Sequence, residues 1–189
     1  MSAQEPSASS GNHLGARAER RWASLAVLCM VFLACVAAVA GLHYLIMPQA
    51  RVETIDPTTA PISGEFVESN LGSTMEPDGS VTVRAIGQRY SFTPSCIILP
   101  TDTPVTIRAT SADVVHGILI EGTNVNTMLI PGYISVITTQ FANAGERLMP
   151  CQEFCSLGHE GMWGKVKVID KSSFLALASK TKRVSCVEQ

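Results

Sequence analysis

Hydrophobic and polar residues follow three successive patterns along this chain. Residues 22–47 form an apolar run without a charged residue, which is long enough to cross a bilayer as a helix. From about residue 81 the pattern changes to short runs rich in β-branched residues, separated by glycine, proline, asparagine and aspartate. Between these regions, residues 48–80 contain turn residues without a sustained period. The patterns predict a membrane helix, a linker and a β-rich domain.

Six of the short runs are predicted strands. They cover residues 81–86, 96–99, 105–108, 117–120, 134–137 and 164–169. Alternation such as Val105/Ile107 and Val166/Val168 fits half-buried antiparallel strands. Short strands at this spacing, without long amphipathic helices, predict an all-β fold of the Greek-key β-sandwich type.

The predicted organisation has five parts. Residues 1–20 form a flexible tail, 21–47 a transmembrane helix, 48–80 a linker, 81–170 the β-domain, and 171–189 a C-terminal tail with a possible short helix capped by a serine. A net charge of −2 and 46% hydrophobic residues fit one folded domain with a membrane segment.

Basic residues are unevenly distributed around the apolar run. Arg17, Arg20 and Arg21 precede it, whereas only Arg51 follows closely. The positive-inside rule therefore predicts a cytoplasmic N-terminus, with everything after Pro48 outside. A cleavable signal peptide is the alternative, since residues 38–40 read Ala-Val-Ala, but the apolar run continues well beyond them.

The candidate chemistry is concentrated in residues 150–163, which read Pro-Cys-Gln-Glu-Phe-Cys-Ser-Leu-Gly-His-Glu-Gly-Met-Trp. Thiolate, thioether and imidazole ligands select copper or zinc over calcium or magnesium. A methionine argues against zinc, whose usual ligands are cysteine, histidine and carboxylate. The segment therefore predicts a copper site.

The number of ligands indicates two copper ions. Cys155, His159 and Met162 alone fit the ligand loop of a blue-copper site, and His116, at the head of an apolar run, supplies the missing histidine. Cys151 is then one thiolate too many for a single copper. Two thiolates four residues apart can instead bridge two copper ions, with the two histidines as terminal ligands.

Simpler interpretations of the two cysteines are weaker. A short-loop Cys151–Cys155 disulfide would leave the histidine and methionine at ligand spacing unexplained. The Cys155-to-His159 spacing has one residue too many for a haem-attachment motif, and iron–sulfur clusters usually need four cysteines.

The motif Cys-x-Glu-x-Cys-x3-His-x2-Met, preceded by Asp-Val-Val-His at residues 113–116, resembles the CuA centre of cytochrome c oxidase subunit II. The resemblance covers about residues 20–170 and implies a cupredoxin-like sandwich with the copper loop between the last two strands. It also implies the ligand set: Cys151 and Cys155 bridge the coppers, His116 and His159 cap them, and Met162 and the backbone carbonyl of Glu153 are weak ligands.

A single membrane helix resembles subunit II of the B-family haem–copper oxidases. The resemblance implies that the chain accepts electrons from a soluble cytochrome c and passes them to the haem of subunit I, where oxygen is reduced to water. The expected partners are subunit I, a cytochrome c and the membrane, and no nucleic acid. The expected location is the plasma or inner membrane, crossed once, with the CuA domain on the periplasmic or extracytoplasmic side.

Three further residues receive roles from this resemblance. Glu19, just before the helix, is a candidate for the mouth of a proton-uptake path, although pairing with Arg20 or Arg21 would also explain it. Tyr90 and Phe92 fall at aromatic positions beside the site and are candidates for donor docking, although both could be core residues.

Several rival functions fit the sequence less well. Quinol oxidase subunit II lacks the ligands, and nitrous-oxide reductase needs a histidine-rich propeller that four histidines cannot build. A membrane-anchored copper chaperone of the Sco type has a thioredoxin-like α/β fold with its histidine downstream. A nitric-oxide reductase with a CuA subunit stays open. Pairing of Cys96 with Cys186 is possible outside the membrane, but Cys96 is by default a strand core residue.

Overall fold

The computed structural model describes residues 9–43 and 52–186. The chain divides between Leu45 and Ile46 into two compact units, a helix and a β-rich domain.

The first unit is a single helix, α1 (Ser9–His43). Its segment Gly15–Leu42 contains an 18-residue window with a mean hydropathy of 2.8 and is long and apolar enough to cross a membrane. The helix begins well before residue 21, because residues 16–21, which lie almost entirely within the predicted tail, are the good helix formers alanine, arginine and glutamate. The flexible tail is therefore a wrong prediction for residues 9–20, whereas residues 1–8 and 44–47 lie outside the described part of the chain.

Eleven strands form the second unit. They are β1 (Glu53–Thr54), β2 (Gly72–Met75), β3 (Val81–Gln88), β4 (Ser91–Thr93), β5 (Cys96–Pro100), β6 (Val105–Ser111), β7 (His116–Leu119), β8 (Asn126–Leu129), β9 (Tyr133–Thr139), β10 (Gly145–Pro150) and β11 (Trp163–Ile169). All six predicted strands are confirmed. Strands β1, β2, β4, β8 and β10 were not predicted.

The strands form two main sheets and a ribbon. The larger sheet has the order β1–β9–β6–β3–β2, with β4 also paired to β3, the smaller sheet has the order β10–β11–β5, and β7 pairs with β8. Strands β3 and β6 are parallel, as are β11 and β5. The antiparallel prediction is wrong for these pairs, because alternation indicates which face of a strand is buried but not the direction of its neighbour.

The core lies between the inward faces of the two sheets. It contains Val81 and Val83 from β3, Ile107 from β6, and Val166 and Val168 from β11, all at most 2% exposed. The alternating residues of β11, including two lysines, are exposed. The sandwich therefore follows from the alternation seen in the sequence.

The predicted linker, residues 48–80, belongs to the domain from at least residue 52. Strand β1 pairs with β9, β2 pairs with β3, and Phe66 is fully buried. Arg108 on β6 also holds this segment, because its guanidinium donates hydrogen bonds to Glu53 and Glu65. The linker prediction is wrong because these attachments join residues distant in sequence and leave no local period.

The C-terminal tail is also part of the domain. A short helix, α2 (Lys171–Ala178), is confirmed, but Asp170 rather than a serine occupies its N-cap position. Phe174 of α2 is fully buried. Beyond the helix, Cys186 forms a disulfide with Cys96 of β5, and their α carbons are 5.4 Å apart. Cys96 is thus a half-exposed cross-link at a strand end, not a core residue.

Candidate metal centre

The loop between β10 and β11 is closed at its base. The Cys151 amide donates a hydrogen bond to the Met162 carbonyl at 3.0 Å, and both side chains are buried. Between these ends, Gly158 has a φ of 106°, which favours glycine, and it precedes a 3-10 turn at His159–Gly161. The turn carries His159 back towards the sulfur atoms.

All the predicted ligands converge at this loop. Cys151 Sγ lies 3.8 Å from His116 Nδ1, and Cys155 Sγ lies 3.6 Å from His159 Nδ1 and 3.9 Å from Met162 Sδ. The carbonyl oxygen of Glu153 lies 3.2 Å from Cys151 Sγ, so its backbone rather than its side chain is directed at the site. Ligand atoms of His116, Cys151 and Cys155 all lie within 4.8 Å of one another.

His116 reaches the site from the start of β7 and is fully buried. A glycine on β3 makes room for it, because a β carbon added at Gly87 would lie 3.3 Å from His116 Cδ2. On the other side of the ring, His116 Nε2 lies 2.8 Å from Asp113 Oδ1. A carboxylate at Nε2 favours the tautomer that leaves Nδ1 free to bind metal.

The Asp113 carboxylate is held in its charged form. Burial opposes ionisation, but hydrogen bonds from the Arg89 amide, from His116 and from the Val114 amide outweigh it and lower the pKa of Asp113 from 3.8 to about 2. The Arg89 guanidinium adds a further bond at 3.2 Å. The histidine therefore faces a full negative charge at neutral pH.

Cys151 and Cys155 are both free thiols, so the disulfide interpretation of this pair is wrong. Burial, together with the neighbouring Cys151, raises the pKa of the Cys155 thiol from 9.0 to about 11. A thiol must lose its proton to bind a metal, so metal uptake at this site is coupled to proton release.

The donor set fits copper. It combines two sulfur atoms from cysteine, two imidazole nitrogens, a thioether and a carbonyl oxygen, and soft ligands of this kind favour copper. The histidine nitrogens face sulfur at both ends of the cluster. The residues thus form a candidate copper site.

Exposed apolar side chains surround the loop. Phe154 and Leu157 are 76% and 88% exposed, and the Phe154 ring contacts the His159 ring edge-on at 5.8 Å. Trp163 is 53% exposed, and its indole Nε1 donates a hydrogen bond to the Glu160 carbonyl at 2.6 Å. Sequence analysis missed these three residues, although large apolar residues in a ligand loop were a usable signal.

The other predicted functional residues lie in different environments. Tyr90 is half-exposed and lies against Gly158 of the ligand loop, whereas Phe92 is 2% exposed. Phe92 packs near Gly164 in the core, so the docking prediction is wrong for this residue. Glu19 lies exposed on α1, and no salt bridge involves it among residues 9–43 and 52–186.

Comparison with known proteins gives one consistent result. Residues 65–169 match the family described as cytochrome c oxidase subunit II, periplasmic domain. The chain is 31% identical over 153 residues to a cytochrome c oxidase subunit 2 of Thermus thermophilus, covering 79% of this chain and 90% of that protein. A second Thermus thermophilus protein of the same name is 30% identical over 123 residues, or 65% of this chain and 91% of that protein.

A solved structure supports the same relationship. A chain from the cryo-EM structure of a heme-copper terminal oxidase dimer superposes with a TM-score of 0.59 at 26% identity, covering 80% of this chain and 99% of that chain. The fold is accordingly mostly β-sheet and cupredoxin-like, with one N-terminal apolar helix, as predicted.

Proposed function

Because the chain belongs to the cytochrome c oxidase subunit II family, and is thus a subunit of an oxidoreductase complex that includes subunit I, we propose that it carries electrons through a dinuclear CuA centre. The donor is a cytochrome c and the acceptor is the haem of subunit I. Oxygen is reduced to water in subunit I, and the role of this chain in the proposal is to deliver the electrons.

One observation carries the proposal: two free thiols and two imidazole Nδ1 atoms converge in a single cluster, in which the two cysteines and His116 are buried and His159 is half-buried. Cys151 and Cys155 would bridge two copper ions, and His116 and His159 would cap them. The Met162 thioether and the Glu153 carbonyl would be weak outer ligands. Bound copper supplies a one-electron redox couple.

The residues around the ligands keep their positions fixed. Met162 and Cys151 are joined by a backbone hydrogen bond, and the Gln152 amide donates to the Gly117 carbonyl beside His116. Asp113 fixes the orientation of the His116 ring. A site whose ligands move little when charge changes has a low barrier to electron transfer, so this packing suits a carrier.

Donor docking is assigned to the apolar surface formed by Phe154, Leu157, Trp163 and Tyr90. These side chains are exposed and surround the ligand loop, and Phe154 contacts His159 directly. A net charge of −2 provides no strong electrostatic field for steering. Short-range apolar contacts should therefore determine how a cytochrome c binds here.

The proposed topology is a single-pass membrane protein with a cytoplasmic N-terminus and an extracytoplasmic copper domain. Arg17, Arg20 and Arg21 flank the N-terminal end of the apolar segment. The Cys96–Cys186 disulfide supports the same assignment for the domain, since disulfides persist in oxidising compartments such as the periplasm.

Copper stoichiometry tests the proposal. The purified chain should bind two copper ions, turn purple and give a mixed-valence EPR signal split by two equivalent nuclei. Cys151→Ser should reduce it to a single-copper site, whereas Met162→Leu should keep both coppers and shift the reduction potential. Uptake of one copper with a four-line signal would overturn the proposal.

Two alternative functions give different results. A Sco-type chaperone would bind one Cu(I) without a purple band, and the mostly β fold does not match its thioredoxin-like architecture. A nitric-oxide reductase would use an identical donor-side subunit. Consumption of oxygen or of nitric oxide by the assembled complex separates an oxidase from a nitric-oxide reductase.

A further inference from the structure

Arg89 and Tyr90 form the turn between β3 and β4, and each contacts a residue that adjoins a histidine ligand: Arg89 bonds to Asp113, the partner of His116, and Tyr90 packs on Gly158, which precedes His159. We infer that this turn is a positioning element that controls both histidine ligands: Arg89 acts on His116 through Asp113, and Tyr90 acts on the segment before His159. The inference rests on the proposed function of the site as a copper centre.

The Arg89 contact is a two-point attachment to one carboxylate. Its backbone amide donates to Asp113 Oδ2 at 2.9 Å, and its guanidinium Nε donates to the same atom at 3.2 Å. The other oxygen, Oδ1, accepts from His116 Nε2 at 2.8 Å. A guanidinium draws electron density from the carboxylate, so Arg89 weakens the pull of Asp113 on the histidine proton.

The Tyr90 contact is a packing contact. A β carbon added at Gly158 would lie 3.5 Å from Tyr90 Cε1 and Cζ, so the phenol ring covers this glycine. Gly158 is the N-cap of the turn that carries His159, and its φ of 106° restricts the position to glycine. The Tyr90 ring therefore limits the movement of the turn and of the half-buried histidine that it carries.

Both contacts come from a surface-exposed turn. The Arg89 side chain is 47% exposed and Tyr90 is 42% exposed, whereas His116 is fully buried. A partner that binds this exposed turn can therefore affect His116 without contacting it. The turn gives a docked partner a route to the electronic environment of both histidines.

The Arg89 side of the inference predicts potential shifts of opposite sign. In the full-length chain in detergent, loaded with copper, Arg89→Gln keeps the backbone bond but removes the guanidinium. Asp113 then pulls harder on His116, the imidazole becomes more electron-rich, and the reduction potential falls. Asp113→Asn removes the negative charge, so the potential rises.

Two further variants separate positioning from general charge effects. Arg89→Lys retains the positive charge, so its reduction potential should lie close to that of the wild-type chain. Lys167→Gln removes one positive charge from an exposed position on β11 and should leave the potential unchanged. Equal shifts for Arg89→Gln and Lys167→Gln, or shifts of the same sign for Arg89→Gln and Asp113→Asn, would overturn the inference.

A second readout does not require the metal. Nitrogen-15 NMR of the histidine rings, recorded before copper is added, follows the Nε2 proton of His116. Arg89→Gln should move this proton downfield, because its hydrogen bond to Asp113 strengthens, and an unchanged resonance would contradict the inference. Thermal melting of each variant shows whether the fold is retained.

The role of Tyr90 is tested by comparing a variant that keeps the aromatic ring with one that removes it. Tyr90→Phe keeps the contact with Gly158 and should preserve the EPR hyperfine pattern of His159, whereas Tyr90→Ala should change it. Identical spectra for the two variants would refute this half of the inference. If the wild-type chain gives no two-copper signal, the proposed function fails; if that signal is present and the variants do not move it, only the positioning role fails.

Discussion

The Gln152 side chain lies directly over the α carbon of Gly117. A β carbon added at Gly117 would lie 2.5 Å from Gln152 Nε2 and 2.6 Å from its Cδ. The backbone amide of Gln152 also donates a hydrogen bond to the Gly117 carbonyl at 3.4 Å. Gly117 follows His116 and Gln152 follows Cys151, so this close approach joins the two segments that supply ligands.

Gly117→Ala should therefore weaken the contact between the two segments. The added methyl group would force the Gln152 side chain away from Gly117, with an expected loss of about 1 kcal/mol in the free energy of unfolding and weaker copper binding. Gly161→Ala is the matched control, because its added carbon would meet nothing within 4 Å. Urea denaturation and copper titration measure both effects, and equal behaviour of the two variants would refute the prediction.

The Cys96–Cys186 disulfide should contribute strongly to stability. It links cysteines 90 positions apart, and in the chain-entropy account closing so long a loop stabilises the fold by about 2–5 kcal/mol. Cys186→Ser should lower the free energy of unfolding by this amount, and reductant should have the same effect on the wild type. Cys29→Ser, which removes an exposed free thiol on α1, should leave the free energy of unfolding unchanged.

Phe154→Ala should impair electron entry without unfolding the domain. The side chain is 76% exposed, so its loss should change stability by less than about 0.5 kcal/mol. Loss of a central docking contact commonly costs more than about 1 kcal/mol, so stopped-flow oxidation of cytochrome c should slow roughly tenfold. Leu175→Ala on α2 is the exposed apolar control, and equal rates for the two variants would rule out this docking surface.

Glu19→Gln should slow turnover of the assembled oxidase several-fold and leave the copper spectrum unchanged. A carboxylate at the start of the membrane segment can collect protons from the cytoplasm, and the amide cannot. Glu19→Asp retains the acid and should restore most of the rate. Proton uptake measured across pH decides the matter: the same uptake for glutamate and glutamine would exclude a role for this residue.

The parts of the fold that were predictable are those recorded locally in the sequence. Residues Val81 and Val83, or Val166 and Val168, alternate with polar neighbours, and each pair lies on the buried face of its strand. The copper loop was equally accessible, because its soft ligands lie within a single loop. Prediction of His116 required one further step, because this ligand lies outside the loop and was recognised only as a histidine at the start of an apolar strand.

The missed parts depend on contacts between distant residues. The segment containing Glu53 and Glu65 has no period, and it is held by Arg108, which lies 55 and 43 positions away. Tyr90 and Phe92 are two residues apart and would lie on the same face of a continuous strand. Tyr90 instead lies in the turn and Phe92 in β4, so only Phe92 is buried. No local pattern contains this information.

The last described residues reach back to two open strand edges. Val184 pairs with Ser73 of β2, and Ser185 pairs with Ile97 of β5, which places the tail between the two sheets. An unprotected strand edge is a template for pairing with another polypeptide. Proteolytic loss of the residues after α2 would therefore convert a self-contained domain into one prone to associate edge to edge with its own copies.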